Sequence, residues 1–178
     1  PTDNQWETHR IIKRAPLVRP DGAILTLEWS QKGGYDGVGS KVYLLRKHSA
    51  ADGTELWKRA GPHNMAYNSQ GQREVVQSMD HVFVQHQSDI EKVDASDGTL
   101  VWRYDEANLM SQYVTLTIGY ENEIYFSGSS IYRFEDTDTG LEEQWRLVPH
   151  QLGVGLSSTG YMSASLSDDG TLYVQGNA

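Results

Sequence analysis

Ile90-Glu91-Lys92-Val93-Asp94-Ala95-Ser96-Asp97-Gly98-Thr99-Leu100-Val101-Trp102 is the stretch that decides how this chain folds. Two short runs rich in apolar and β-branched residues flank an Asp-Gly pair, which is the pattern of a β-hairpin. Glycine supplies the positive φ of a tight turn because it has no Cβ to clash. The reading is strands over Asp89–Ala95 and Thr99–Tyr104 joined by a two-residue turn. The closing tryptophan makes the stretch more than a lone hairpin. Asp52-Gly53-Thr54-Glu55-Leu56-Trp57 precedes it, and Thr139-Gly140-Leu141-Glu142-Glu143-Gln144-Trp145 follows it. Trp57 and Trp102 are 45 residues apart and Trp102 and Trp145 are 43 apart, so one supersecondary unit repeats. Trp6 lies 51 residues before Trp57, in keeping with an earlier repeat and a longer insertion.

Each period has room for four short strands. The first reads Ala15–Val18, a turn at Asp21-Gly22, Ala23–Trp29, a Gly-rich loop 31–40, Lys41–His48, a turn at Asp52-Gly53, and Thr54–Arg59. The second reads Arg73–Ser78, His81–His86, Asp89–Ala95 and Thr99–Tyr104, and the third Tyr113–Gly119, Glu123–Ser127, Ser130–Glu135 and Leu141–Val148. A further repeat starts with Tyr161–Leu166, turns at Asp169-Gly170 and runs on as Thr171–Gln175. His81-Val82-Phe83-Val84 and Ile124-Tyr125-Phe126 are nearly continuous apolar runs, as expected of strands covered on both faces. No segment offers a helical stripe of more than about three turns. A period of about 40–50 residues built of strands and turns points to β-propeller blades. The expected fold is therefore all-β, a β-propeller of four-stranded antiparallel blades, with about three complete blades and partial ones at both ends. The expected bounds are a partial blade about 1–13, blades about 14–60, 72–105 and 112–149, and a partial blade about 156–178. Fifteen strands follow, one of them an outer strand around Trp6, and such ends would expose sheet edges and apolar faces that invite association.

Of the 178 residues, 38% are hydrophobic and 22% charged, an ordinary globular balance. The net charge of -9 argues against nucleic acid, whose phosphates need clustered Lys and Arg, and against polybasic membrane attachment. With no cysteine there are no disulfides, thiolate metal sites or cysteine nucleophiles. No run approaches the roughly 18 apolar residues of a membrane span.

At its turns and tryptophans the chain resembles the pyrroloquinoline-quinone-like (PQQ-like) propeller repeats. Those carry an Asp-Gly or Thr-Gly corner followed by a tryptophan in the outer strand, as at Gly53 with Trp57, Gly98 with Trp102 and Gly140 with Trp145. They also carry a phrase joining the first two strands, to which Arg19-Pro20-Asp21-Gly22-Ala23-Ile24-Leu25 and Ser167-Asp168-Asp169-Gly170-Thr171-Leu172-Tyr173-Val174 are similar. The resemblance spans nearly the whole chain. The Gly-His and Trp-Asp signatures of WD repeats and the paired glycines of kelch repeats are missing. The Asp-box of sialidases needs a serine where Leu166 stands. The absence of cysteine fits a bacterial extracytoplasmic protein, periplasmic or secreted, which is the expected location, though it fits many cytosolic proteins too. The resemblance implies that further blades, from the same or another chain, or a protein partner complete the disc.

Catalytic chemistry finds little footing in the residues. Quinone-dependent dehydrogenases of the family hold PQQ and Ca²⁺ with carboxylate and amide oxygens and use a carboxylate base; no phrase here matches those segments. No catalytic, cofactor or metal residue is therefore assigned. The six histidines read as edge or surface groups, since His81 and His86 project to opposite faces of one strand. Asp136-x-Asp138-x-Gly140 has the alternate spacing of a Ca²⁺ loop, but turn chemistry explains it more simply. The loop Lys32-Gly33-Gly34-Tyr35-Asp36-Gly37-Val38-Gly39-Ser40 runs into a strand, not the helix a phosphate cradle needs. Trp57, Trp102 and Trp145 read as core. Trp29, Tyr35 and Tyr120 stand outside that register and are the candidate ligand or partner contacts. The expected function is a non-catalytic binding or scaffolding module acting by protein–protein or self association, as outer-membrane assembly lipoproteins of the family do. The alternatives are a segment of a PQQ/Ca²⁺-dependent dehydrogenase and a carbohydrate-binding propeller.

Overall fold

A computed structural model describes residues 11–12, 16–31, 41–61, 75–85, 89–105, 115–120, 123–127, 130–148 and 163–175. The strand around Trp6 and the Gly-rich loop with Tyr35 lie outside the described residues. Among these residues every regular element is a strand, and all strand pairs are antiparallel. No helix among them is long and apolar enough to cross a membrane.

The first sheet contains β1 (Ile11–Ile12), β2 (Leu17–Val18), β3 (Ile24–Gln31), β4 (Lys41–His48) and β5 (Glu55–Ala60). β1 and β2 both pair with β3, Ile11 opposite Trp29 and Leu17 opposite Leu25, so together they make one interrupted edge strand. Ile11 and Ile12 thus join the first sheet, on the near side of the boundary expected around residue 13. The second sheet runs in order β6 (Val75–Gln77), β7 (His81–Gln85), β8 (Asp89–Asp94), β9 (Leu100–Asp105). The third runs β10 (Thr115–Ile118), β11 (Glu123–Ser127), β12 (Ile131–Asp136), β13 (Leu141–Leu147), and β14 (Ser163–Leu166) pairs with β15 (Leu172–Gln175). Among the described residues there are fifteen strands: β2 to β15 are the fourteen expected outside the Trp6 segment, and β1 is additional.

The second strand of the second and third sheets is buried over most of its length, Val82 to Gln85 in β7 and Ile124 to Ser127 in β11. Their apolar runs are continuous because both faces are covered. The outer strands are mostly exposed and bury chiefly their tryptophan, as in β5 with Trp57.

The Asp-Gly turns differ from the two-residue loops expected. Gly22 N–H donates to the Arg19 carbonyl and Arg19 N–H to that of Ala23, so Pro20-Asp21-Gly22 is a three-residue loop ending in a left-handed glycine. Asp168-Asp169-Gly170 has the same pattern, and Ala50–Gly53 is a four-residue loop closed by Ser49 and Thr54. The aspartate adds a side-chain bond to the backbone two residues on, at Asp21, Asp52, Asp97 and Asp169. A loop with room for this bond is longer than the two-residue minimum. Met79-Asp80, between Ser78 and His81, is a two-residue link, and so is the turn expected at Thr139-Gly140, where Asp138-Thr139 join Thr137 to Gly140.

The chain forms two compact units, residues 1–69 with 95–99, and 70–94 with 100–178. In the first, Leu25, Leu27, Leu45 and Trp57 are buried. In the second, Phe83, Ile90 and Trp102 pack with Leu116, Ile124, Phe126, Tyr132 and Phe134, joining the second sheet to the third. Burying that many large side chains, at about 1.5–3 kcal/mol each, is the main force holding these two sheets face to face.

Candidate functional site

One constellation recurs in each four-stranded sheet. A basic residue on the third strand faces the tryptophan of the fourth: Lys47 opposite Trp57, Lys92 opposite Trp102, Arg133 opposite Trp145. In all three the register skips one residue beside this pair, leaving Leu56, Val101 and Gln144 unmatched just before the tryptophan. Such a bulge bends and twists the strand and re-aims the side chain that follows.

The first two pairs each end on the hairpin of the following repeat. Lys47 Nζ donates to Asp21 Oδ2 at 2.8 Å and to the Ala95 carbonyl at 3.0 Å. Trp57 Nε1 donates to the same carbonyl at 3.2 Å. The indole lies on Gly98, where an added Cβ would sit 2.8 Å from Trp57 Cε3. Lys92 Nζ reaches Asp136 Oδ2 at 2.6 Å, and Trp102 Nε1 reaches Asp136 Oδ1 at 3.1 Å. Ala95 and Asp136 hold the same place, three residues after Lys92 and Arg133 respectively. A backbone carbonyl in one and a carboxylate in the other accept the same two donors. The Lys92 ammonium also stands about 6 Å from the centres of the Phe83 and Trp102 rings. A buried indole N–H and ammonium need such acceptors, since leaving either unmatched costs more than the bond gains.

The third pair is arranged differently. Arg133 pairs with Glu123, a contact that holds the guanidinium charged more firmly than usual, and its Nε is buried with no partner among the described residues. Trp145 is half-exposed, 6.1 Å from Tyr125 ring to ring, with no acceptor for its indole N–H among the described residues. Burial first, and then the Glu123 carboxylate, push the Tyr125 phenol up.

The six repeat-signature residues therefore part company. Trp57, Trp102, Gly98 and Gly140 are buried, whereas Gly53 is exposed and Trp145 half-exposed. Of the candidate contacts, Trp29 lies in β3 opposite Tyr43, and Tyr35 is outside the described residues. Tyr120 is 52% exposed, and its hydroxyl donates to Asp168 at 3.1 Å, which raises the phenol's pKa. The Trp29 side chain and all of Tyr35 lie outside what the structure describes, which leaves Tyr120 as the described member of the three. Residue reading missed Lys47, Lys92 and Arg133, and took Asp136 for a turn residue, not for the acceptor of Lys92 and Trp102. The signal was there: Lys47 and Lys92 each stand ten residues before their tryptophan.

For Ca²⁺ with a quinone, the described donors are a poor fit. Both oxygens of Asp136 are taken by Lys92 and Trp102, Glu91 is paired with Arg103, and Arg46 draws on Glu28 and Glu55. Among the described residues no group of three or more His, Asp and Glu side chains is placed to hold a metal ion. The chain matches no family model and no curated protein.

Proposed function

We propose that the chain is a propeller segment of the PQQ-like kind whose work is non-catalytic: a rigid set of blades that binds or assembles other proteins. The lysine–tryptophan joint supports this most directly. It commits the repeated aromatic and charged residues to fastening one repeat to the next, and so to stiffness. The first strands of successive sheets also pack together, β6 against β10 and β10 against β14, with Thr117 Oγ1 donating to the Ala164 carbonyl at 3.0 Å. That is the relation inner strands have around a propeller axis. What is left for recognition is the turns and faces. Met79 is 78% exposed and Tyr120 52%, both in turns between a first and a second strand. Large apolar groups at loop tips on a stiff frame are the usual material of protein contacts.

Native mass spectrometry with pyrroloquinoline quinone and Ca²⁺ tests the reading. The expected spectrum shows no quinone adduct. A Ca²⁺-dependent complex with one quinone would overturn it in favour of a dehydrogenase segment.

A further inference from the structure

The two finished joints define what an unfinished one looks like, and this chain has one of each half. Residues 47–57 and 92–102 align without a gap, Lys47 with Lys92, Ala50 with Ala95, Gly53 with Gly98 and Trp57 with Trp102. In the second hairpin the seat is filled: Ala95 is 2% exposed, its carbonyl takes two donors, and Gly98 lies under the Trp57 ring. In the first hairpin the matching seat is open among the described residues. Ala50 and Gly53 are exposed, and a Cβ built on Gly53 meets nothing within 4 Å among the described residues. Both glycines hold the same left-handed turn, φ +74° and +80°, so the empty seat has the backbone form of the filled one.

The third sheet has the complementary half. Trp145, Arg133 and Tyr125 lie in one cross-strand row, and Thr117 continues the row to β10, where its hydroxyl meets Ala164. The β14–β15 hairpin thus covers the β10 end of this face. Toward the outer end stand Trp145, whose indole N–H has no acceptor among the described residues, the buried Arg133 Nε, and the 37% exposed Leu147 two residues along the same strand face.

We propose that these halves meet between molecules: Trp145 of one copy seats on the Ala50–Gly53 turn of a second. The indole lies over Gly53, and the indole N–H and Arg133 donate to the Ala50 carbonyl. The occupant is argued from the chain itself, which joins a basic side chain, Lys47, and an indole N–H to the matching turn in its own Trp57–Ala95 joint. The net charge of -9 works against association in general, so a specific seat must outweigh it. Donor and acceptor are different surfaces, so the contact is heterologous and propagates head to tail. The inference rests on the assembly reading above and names its partner. The competing occupant is Trp6, one repeat before Trp57 and outside the described residues.

Sedimentation velocity on the full chain across a dilution series, with two variants, decides it. Trp145→Ala removes the donor. Ala50→Arg fills the seat from an exposed position that leaves the fold intact, as circular dichroism melting checks. The unaltered chain should self-associate, and each variant alone should do so at least about tenfold more weakly, the scale of losing a buried aromatic anchor. The two variants mixed should form a one-to-one dimer and stop there, because each retains the half the other lacks. Assembly that survives in both variants would overturn the proposal by putting the contact elsewhere. So would a monomeric chain that loses stability on Trp6→Ala, since the seat is then filled within the molecule. Neither result touches the non-catalytic reading, which fails only on the quinone complex.

Discussion

Gly98 and Gly53 occupy the same place in their hairpins, yet a methyl group added to each meets different surroundings. At Gly53 the cost is that of forcing an L-residue into the left-handed region, about 1–2 kcal/mol. At Gly98 the same strain is joined by a collision with the Trp57 ring at 2.8 Å, and the ring is held by its bond to Ala95. Overpacking of that kind adds about 1–3 kcal/mol. Urea denaturation of dilute protein should therefore rank Gly98→Ala as clearly less stable than Gly53→Ala. Equal losses would mean that the Trp57 seat yields. The sequence marks both glycines identically, and only the tryptophan from the preceding repeat separates them. That is a contact over 38 residues, and no local pattern encodes which seat is filled.

At the scale of the strand and its turn, the aspartates couple hairpin geometry to acid. Asp169 is pulled down to about 2, first by the Ser167 hydroxyl and then by the Thr171 amide. Asp21 is lowered first by Lys47 and then by the Ala23 amide, and Asp52 by the Thr54 amide and Ser49. A carboxyl whose pKa is lower folded than unfolded binds fewer protons in the folded state, so its stabilisation is complete above the ordinary value of 3.8. That contribution is lost as pH falls through the folded value, so denaturation midpoints should drop between about pH 4 and 2. Asp169→Asn should flatten the drop, because the amide oxygen still accepts from Thr171 but does not titrate. An unchanged slope would show that this turn opens without touching stability. Strand positions were legible to within a residue or two because hydrophobic runs and Asp-Gly pairs mark them directly. Loop lengths were not, since Asp-Gly closes three- and four-residue loops alike. The bulges beside Trp57, Trp102 and Trp145 were hidden for another reason: an extra residue leaves no trace in a strand whose exposed positions tolerate any polar side chain.

Across the whole molecule, order is unequally supported. The second and third sheets share the aromatic cluster of Phe83, Trp102, Phe126 and Phe134, with rings 5.2 Å apart at Phe126–Phe134 and 6.0 Å at Phe83–Trp102. The β14–β15 hairpin has only two strands, and none of its described side chains belongs to that cluster. Two-stranded sheets are marginal in water, so hydrogen exchange should release the amides of 163–175 well before those of β7 and β11. Simultaneous exchange of all three would instead mean that the hairpin is locked into the core. The lysine–tryptophan joint also bears on how such a chain is inherited. Each of the first two pairs meets its successor through one residue, Ala95 with a carbonyl and Asp136 with a carboxylate, and in the first Asp21 adds the carboxylate for Lys47. A gene that gained or lost one whole period would place Trp57 before Asp136 instead of Ala95, and the new neighbours would still be chemically matched. Lineages can therefore change the number of repeats in a single recombination event, so long as each new neighbour offers oxygen to both the basic group and the indole.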